Sequence, residues 1–141
     1  MHVGGEISLE NHGKIASSQG STSITAGKGI SLFENGSIYA SGGNLDLFVT
    51  QGNLNLYGNS SLNSITHENH IIIGKSLQME NFSSIIGIGE KGTTIVIDQL
   101  GVGGRIAMGV NSSISTGGSP LRIFTTSHHQ NSIQGTLNGL G

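Results

Sequence analysis

Apolar and polar residues alternate in short runs along this chain, and the runs return at a nearly fixed interval. An apolar-x-apolar step stands at Ile7-Ser8-Leu9, Ile30-Ser31-Leu32, Leu54-Asn55-Leu56, Leu77-Gln78-Met79 and Ile106-Ala107-Met108. Successive steps begin 23, 24, 23 and 29 residues apart. Period-two alternation describes a strand with one buried face. The i, i+3, i+4 spacing of an amphipathic helix is rare here. Each step is followed by an Asn (Asn11, Asn35, Asn59, Asn81, Asn111), a small residue, and a second apolar position at Ile15, Ile38, Leu62, Ile85 or Ile114. A third strand is predicted in each unit, at Ile24-Thr25-Ala26, Leu45-Asp46-Leu47, Ile71-Ile72-Ile73, Ile95-Val96-Ile97 and Leu121-Arg122-Ile123.

The pattern defines units 7–29, 30–53, 54–76, 77–105 and 106–132, with a sixth expected to begin at Ile133. One such unit has too little apolar surface to fold alone. Stacked units pair their strands in parallel and share one interior. The predicted fold is therefore all-β: a single-stranded parallel β-helix, a solenoid of about five coils of 23–29 residues with three short strands per coil. Residues 1–141 are read as one domain, a piece of a longer repetitive chain. The five Asn residues are expected to stack at one turn as a hydrogen-bonded amide ladder that carries the fold. The competing sandwich of hairpins leans on Asn35-Gly36, a good two-residue turn. Asn59-Ser60 and Asn111-Ser112 occupy the matching places without that chemistry.

Composition narrows the function classes. Gly, Ser, Asn and Thr make up nearly half of the 141 residues, yet the regularly placed Ile and Leu argue against disorder. There is no Cys, which excludes disulfides and thiolate metal sites. Charged residues are 10% with a net charge of −2, so there is no basic field for a nucleic acid. No apolar run approaches the ~18 residues of a membrane-spanning helix. The start Met1-His2-Val3-Gly4-Gly5 has none of the apolar stretch of a secretory signal.

The stretch 35–56, NGSIYASGGNLDLFVTQGNLNL, resembles the repeats of filamentous-haemagglutinin-like exoproteins and autotransporter passengers of Gram-negative bacteria. Gly36, Ile38, Ala40, Gly42, Gly43, Leu45 and Leu47 reproduce their G-x-I-x-A-x-G-G-x-L-x-L style of repeat. The likeness extends over roughly 7–132. The coil here is longer than in those repeats, and the Asn-Pro-Asn-Leu type of secretion signature is absent. The resemblance implies a rigid stalk, secreted and displayed on a bacterial surface, that contacts a host or bacterial glycan or protein. No cofactor and no catalytic residue are expected. Exposed strand edges at the coil ends lead us to expect end-to-end self-association. The alternatives are a carbohydrate-active enzyme of the same fold, a polysaccharide lyase or hydrolase, and a phage tail-spike segment.

Candidate chemistry is sparse. Stretched units expel loops, which makes Asp98, Arg105, His128 and His129 the expected binding-loop residues. Glu10, Glu34 and Glu80 follow first strands and are expected to cluster along one edge, as a hydrolase pair of carboxylates would require. Phe33 and Tyr57 share one place in neighbouring coils, and Phe48 and Phe124 are expected just after third strands. His67 and His70 are expected on an irregular turn. Their H-E-N-H spacing is one residue short of a zinc signature, so no metal site is assigned. The G-x-G-x-x-G match at 87–92 runs into a strand-like Thr93-Thr94-Ile95 and does not open the helix that a dinucleotide site needs.

Overall fold

A computed structural model describes residues 1–65, 67–126 and 131–140. The described residues contain strands, turns and bends and no helix. After β1 (His2–Val3), the chain winds as β2 (Glu6–Leu9), β3 (Lys14–Ser17) and β4 (Thr22–Ala26), then β5 (Gly29–Leu32), β6 (Ser37–Ala40) and β7 (Leu45–Val49). The third coil is β8 (Asn53–Leu56), β9 (Ser61–Ser64) and β10 (Asn69–Ile73). The fourth is β11 (Leu77–Met79), β12 (Ser84–Gly87) and β13 (Thr93–Ile97). In the fifth, β14 (Ile106–Met108) leads into one long strand, β15 (Ser113–Thr125), before β16 (Ser132–Ile133) and β17 (Thr136–Leu140).

These strands stack into three parallel faces. The first runs β2-β5-β8-β11-β14-β16. The second runs β3-β6-β9-β12-β15 and adds β17, and the third runs β1-β4-β7-β10-β13-β15. β15 belongs to both: Ser113–Ser115 pair with β12, and Leu121–Thr125 pair with β13. The fold is the parallel solenoid that the spacing implied.

Register is set by the inward apolar positions. Ile7, Ile30, Leu54, Leu77 and Ile106 stand over one another on the first face. Ile15, Ile38, Leu62, Ile85 and Ile114 do so on the second, and Ile24, Leu47, Ile71, Ile95 and Ile123 on the third. From Ile30 to Ile114 these side chains are at most 1% exposed. Burying each Ile or Leu contributes roughly 1.5–3 kcal/mol, which offsets the entropy of ordering so Gly-rich a chain. In the sixth turn Ile133 pairs with Met108, so it holds the second apolar place of its strand, not the first.

The backbone packs as closely as the side chains. A Cβ on Gly42 or Gly43 would run into the backbone of Gln19 to Ser21 in the coil below. In the resembling repeat, Ile38 and Ala40 point inward from β6 and Leu45 and Leu47 from β7, so Gly42 and Gly43 are the corner between two buried strands.

Candidate functional site

The first corner, between first and second faces, spans four residues in every complete coil: 10–13, 33–36, 57–60, 80–83 and 109–112. Equal lengths put Glu10, Phe33, Tyr57 and Glu80 in one column, because the flanking strands are in register. Phe33 and Tyr57 stack with ring centroids 5.4 Å apart and planes 16° from parallel. The Tyr57 hydroxyl donates to Gln78 Oε1 at 2.8 Å, which fixes the ring. Burial, with a smaller contribution from the Glu80 carboxylate, raises the Tyr57 phenol above its ordinary pKa. Beside the ring pair lies an open groove of about 360 Å³ lined by Glu10, Phe33, Glu34, Tyr57, Gly58 and Asn81. A planar apolar surface with carboxylate and amide acceptors at its rim suits a polyhydroxylated or cationic ligand.

The groove brings Glu10 and Glu34 together. Glu80 shares the column of Glu10 but stands beyond the two rings, where it acts on Tyr57. The expected line of three glutamates is thus broken by the aromatic pair, and Glu34 belongs to the next column.

That one-residue offset also corrects the asparagine ladder. Asn11 and Asn81 share a column with Glu34 and Gly58, whereas Asn35, Asn59 and Asn111 share the next with His12 and Phe82. All five are exposed. No side-chain hydrogen bond joins any of them among the described residues. For four of them the role is conformational. In coils one to four the corner uses two successive residues with positive φ: Asn11 and His12 (49° and 68°), Glu34 and Asn35 (47° and 68°), Gly58 and Asn59 (60° and 61°), Asn81 and Phe82 (53° and 64°), whereas Val110 and Asn111 in the fifth turn without it. Asn tolerates that region better than other non-glycine residues. The coils are joined at this corner by the backbone, through His12 N–H to Glu34 O, Asn35 N–H to Gly58 O and Asn59 N–H to Asn81 O at 2.8–3.0 Å.

The loop residues fare differently from one another. Asp98 is 2% exposed with φ of 61°, so it is not displayed for a ligand. Its carboxylate accepts from the Thr126 hydroxyl, from Val102 N–H at 2.8 Å and from Gly103 N–H at 3.2 Å. These bonds, led by that of Thr126, hold its pKa below the ordinary value against the opposing effect of burial. Asp98 therefore ties down the loop 98–105 and leaves Leu100 and Val102 exposed at its tip. Arg105 is exposed where that loop rejoins the first face, and its N–H bonds Ser76 Oγ at 3.0 Å. His128 and His129 lie outside the described residues.

His70 is not on a turn. It lies in β10 on the outer side of the third face, with Nδ1 2.9 Å from Asp46 Oδ1 and Nε2 3.3 Å from Glu68 Oε2. Among the described residues no group of three or more His, Asp or Glu is placed to hold a metal ion. Asp46 and Asp98 stand two coils apart, on the outer third face and in the corner after it, so they do not share a site.

Two features had only faint signals in the sequence. Phe48 and Phe124 sit inside third-face strands and point outward, since β7 runs on to Val49 and β15 to Thr125. Asn69 is fully buried at the second corner, where Nδ2 donates to Ile86 O at 3.0 Å and Thr93 Oγ1 at 3.3 Å. Its place opposite Leu45 and Thr93 was the only hint. No family model, curated protein or solved structure matches the chain.

Proposed function

We propose that this chain is a structural and adhesive segment of a secreted bacterial surface protein of the haemagglutinin-like or autotransporter-passenger kind. Its task is presentation: a stiff β-solenoid holds a contact site out from the cell. The observation that carries the reading is the aromatic and carboxylate groove on an unbroken three-faced stack. Each coil is hydrogen-bonded to its neighbours along every face, so bending the rod strains many bonds at once. The repeat at 36–47 supports the same reading, because its glycines and apolar residues fall at the corner and inward positions of coil two.

The contact assigned to the groove is a saccharide. A sugar ring packs its C–H face on the exposed parts of Phe33 and Tyr57 while Glu10, Glu34 and Asn81 accept from its hydroxyls or from an amino group. Anionic glycans are disfavoured by the two carboxylates. The test is an array of neutral, amino and acidic glycans probed with the intact chain, with Tyr57→Ala and Glu34→Gln beside it. Retention on neutral or amino glycans, lost in both variants, is the expected result. Retention on none of them, or equal retention of all three proteins, removes the groove from the adhesive role.

A further inference from the structure

The outer side of the third face carries two columns that are complementary to themselves. From coil two to coil five, one column reads Phe48, Ile72, Val96, Phe124 and the other reads Asp46, His70, Thr94, Arg122. All eight face outward, alternating with buried neighbours in β7, β10 and β13 and with half-buried ones in β15. The first column is an apolar ridge with an aromatic ring at each end, and Phe124 is 55% exposed. The second has its acid at one end and its base at the other. Arg122 makes no ion pair among the described residues.

We propose that this face is an isologous dimer interface, occupied by a second copy of the same chain. A two-fold axis parallel to the strands, passing between β10 and β13, keeps each column facing itself and reverses the order of the coils. Ile72 then meets Val96 of the second copy, and Phe48 meets Phe124. In the same operation Asp46 meets Arg122 twice over, once at each end. A face that is palindromic in shape and antisymmetric in charge is what a closed two-fold contact requires. The relief helps: Phe124 stands between a hollow of about 200 Å³ floored by Val96, Ile97 and Thr125 and another of about 460 Å³ beside Leu121 and Leu137. The aromatic ring arriving from the second copy has a place to enter.

The area sets the strength. Four strands ~4.8 Å apart and about five residues long at ~3.3 Å each give roughly 320 Å² per copy, about two-fifths of the ~800 Å² per partner in a standard interface. The dimer is therefore weak, with a dissociation constant in the high micromolar range, and the two rods lie side by side with opposite polarity.

Sedimentation velocity from about 10 μM to 1 mM at low salt reads this directly. The wild type is expected to pass from monomer to dimer and stop there. Asp46→Arg and Arg122→Asp are each expected to weaken association at least tenfold. Equal mixing of those two single variants, or their combination in one chain, restores matched charges at both ends and is expected to restore the dimer. Phe124→Ser removes an exposed ring without touching the core and is expected to leave a monomer of unchanged melting temperature. A wild type that stays monomeric to 1 mM overturns the proposal. So does assembly that continues past two copies, as end-to-end stacking would, or a charge-swapped pair that does not reassociate.

Discussion

The first and second corners of the coil both use asparagine, and they use it in opposite ways. At the first corner Asn59 faces water, and its contribution is a backbone that accepts positive φ. At the second corner Asn69 is sealed inside, and its contribution is a side chain that satisfies the Ile86 carbonyl and the Thr93 hydroxyl. Recurrence in sequence marks the first role. The second occurs once, within His67-Glu68-Asn69-His70, a string that looks like metal chemistry. A repeated polar residue on a solenoid is thus as readily a turn former as a buried ladder, and exposure separates the two.

Substitutions that probe each corner should rank accordingly. Asn69→Ala removes one donor from the Ile86 carbonyl and the donor to Thr93 Oγ1, and opens a small void. The expected loss is about 2–3 kcal/mol, seen as a lower denaturation midpoint. Gly87→Ala attacks the same corner from the opposite side, because the added methyl meets Thr93 Oγ1 and Asn69 Nδ2. Overpacking of this kind costs roughly 1–3 kcal/mol, and it should be partly relieved when Thr93→Ala is added, which removes the oxygen that the methyl meets. Asn59→Ala removes no buried partner and costs only the left-handed backbone preference, about 1 kcal/mol. Asn59→Gly should be close to neutral. If Asn59→Ala proves as damaging as Asn69→Ala, the distinction between the corners fails.

The smallest effect is set by pH at the third corner, between third and first faces. Hydrogen bonding lowers the Asp98 pKa in the folded chain relative to the unfolded chain. The folded state therefore gains from this group at pH values above the ordinary carboxylate pKa, and the gain is lost as pH falls through the lower folded value. Melting temperature should fall more steeply in that acid window for the wild type than for Asp98→Asn. Equal slopes would mean that Thr126, Val102 and Gly103 do not hold the carboxylate in solution.

Much of the fold was legible because period-two alternation reports directly which side of a strand is buried. Ile7, Ile30, Leu54, Leu77 and Ile106 are in one column, and so are Ile38, Leu62 and Ile85. The site was less legible, because corners carry no such alternation. The steps Leu9 to Asn11 and Leu32 to Asn35 differ by one residue, and only the strand beyond the corner reveals that Glu34, not Asn35, lies over Asn11. The burial of Asp98 was hidden for a similar reason: its partner Thr126 is 28 residues away, directly over it in the following coil but off the 23–24-residue spacing of the earlier coils. The outward Phe48 and Phe124 were misplaced because the apolar triplets at Leu45 and Leu121 end before the strands do.

The first corner holds its four residues from coil to coil, while the third corner ranges from two residues at Gly27-Lys28 to eight at 98–105. Tandem duplication or loss of a block that starts and ends on the first face, such as 30–53, would splice like onto like and change only how tall the molecule is. Novelty in such a lineage would accumulate along a single edge, as growth at a seam.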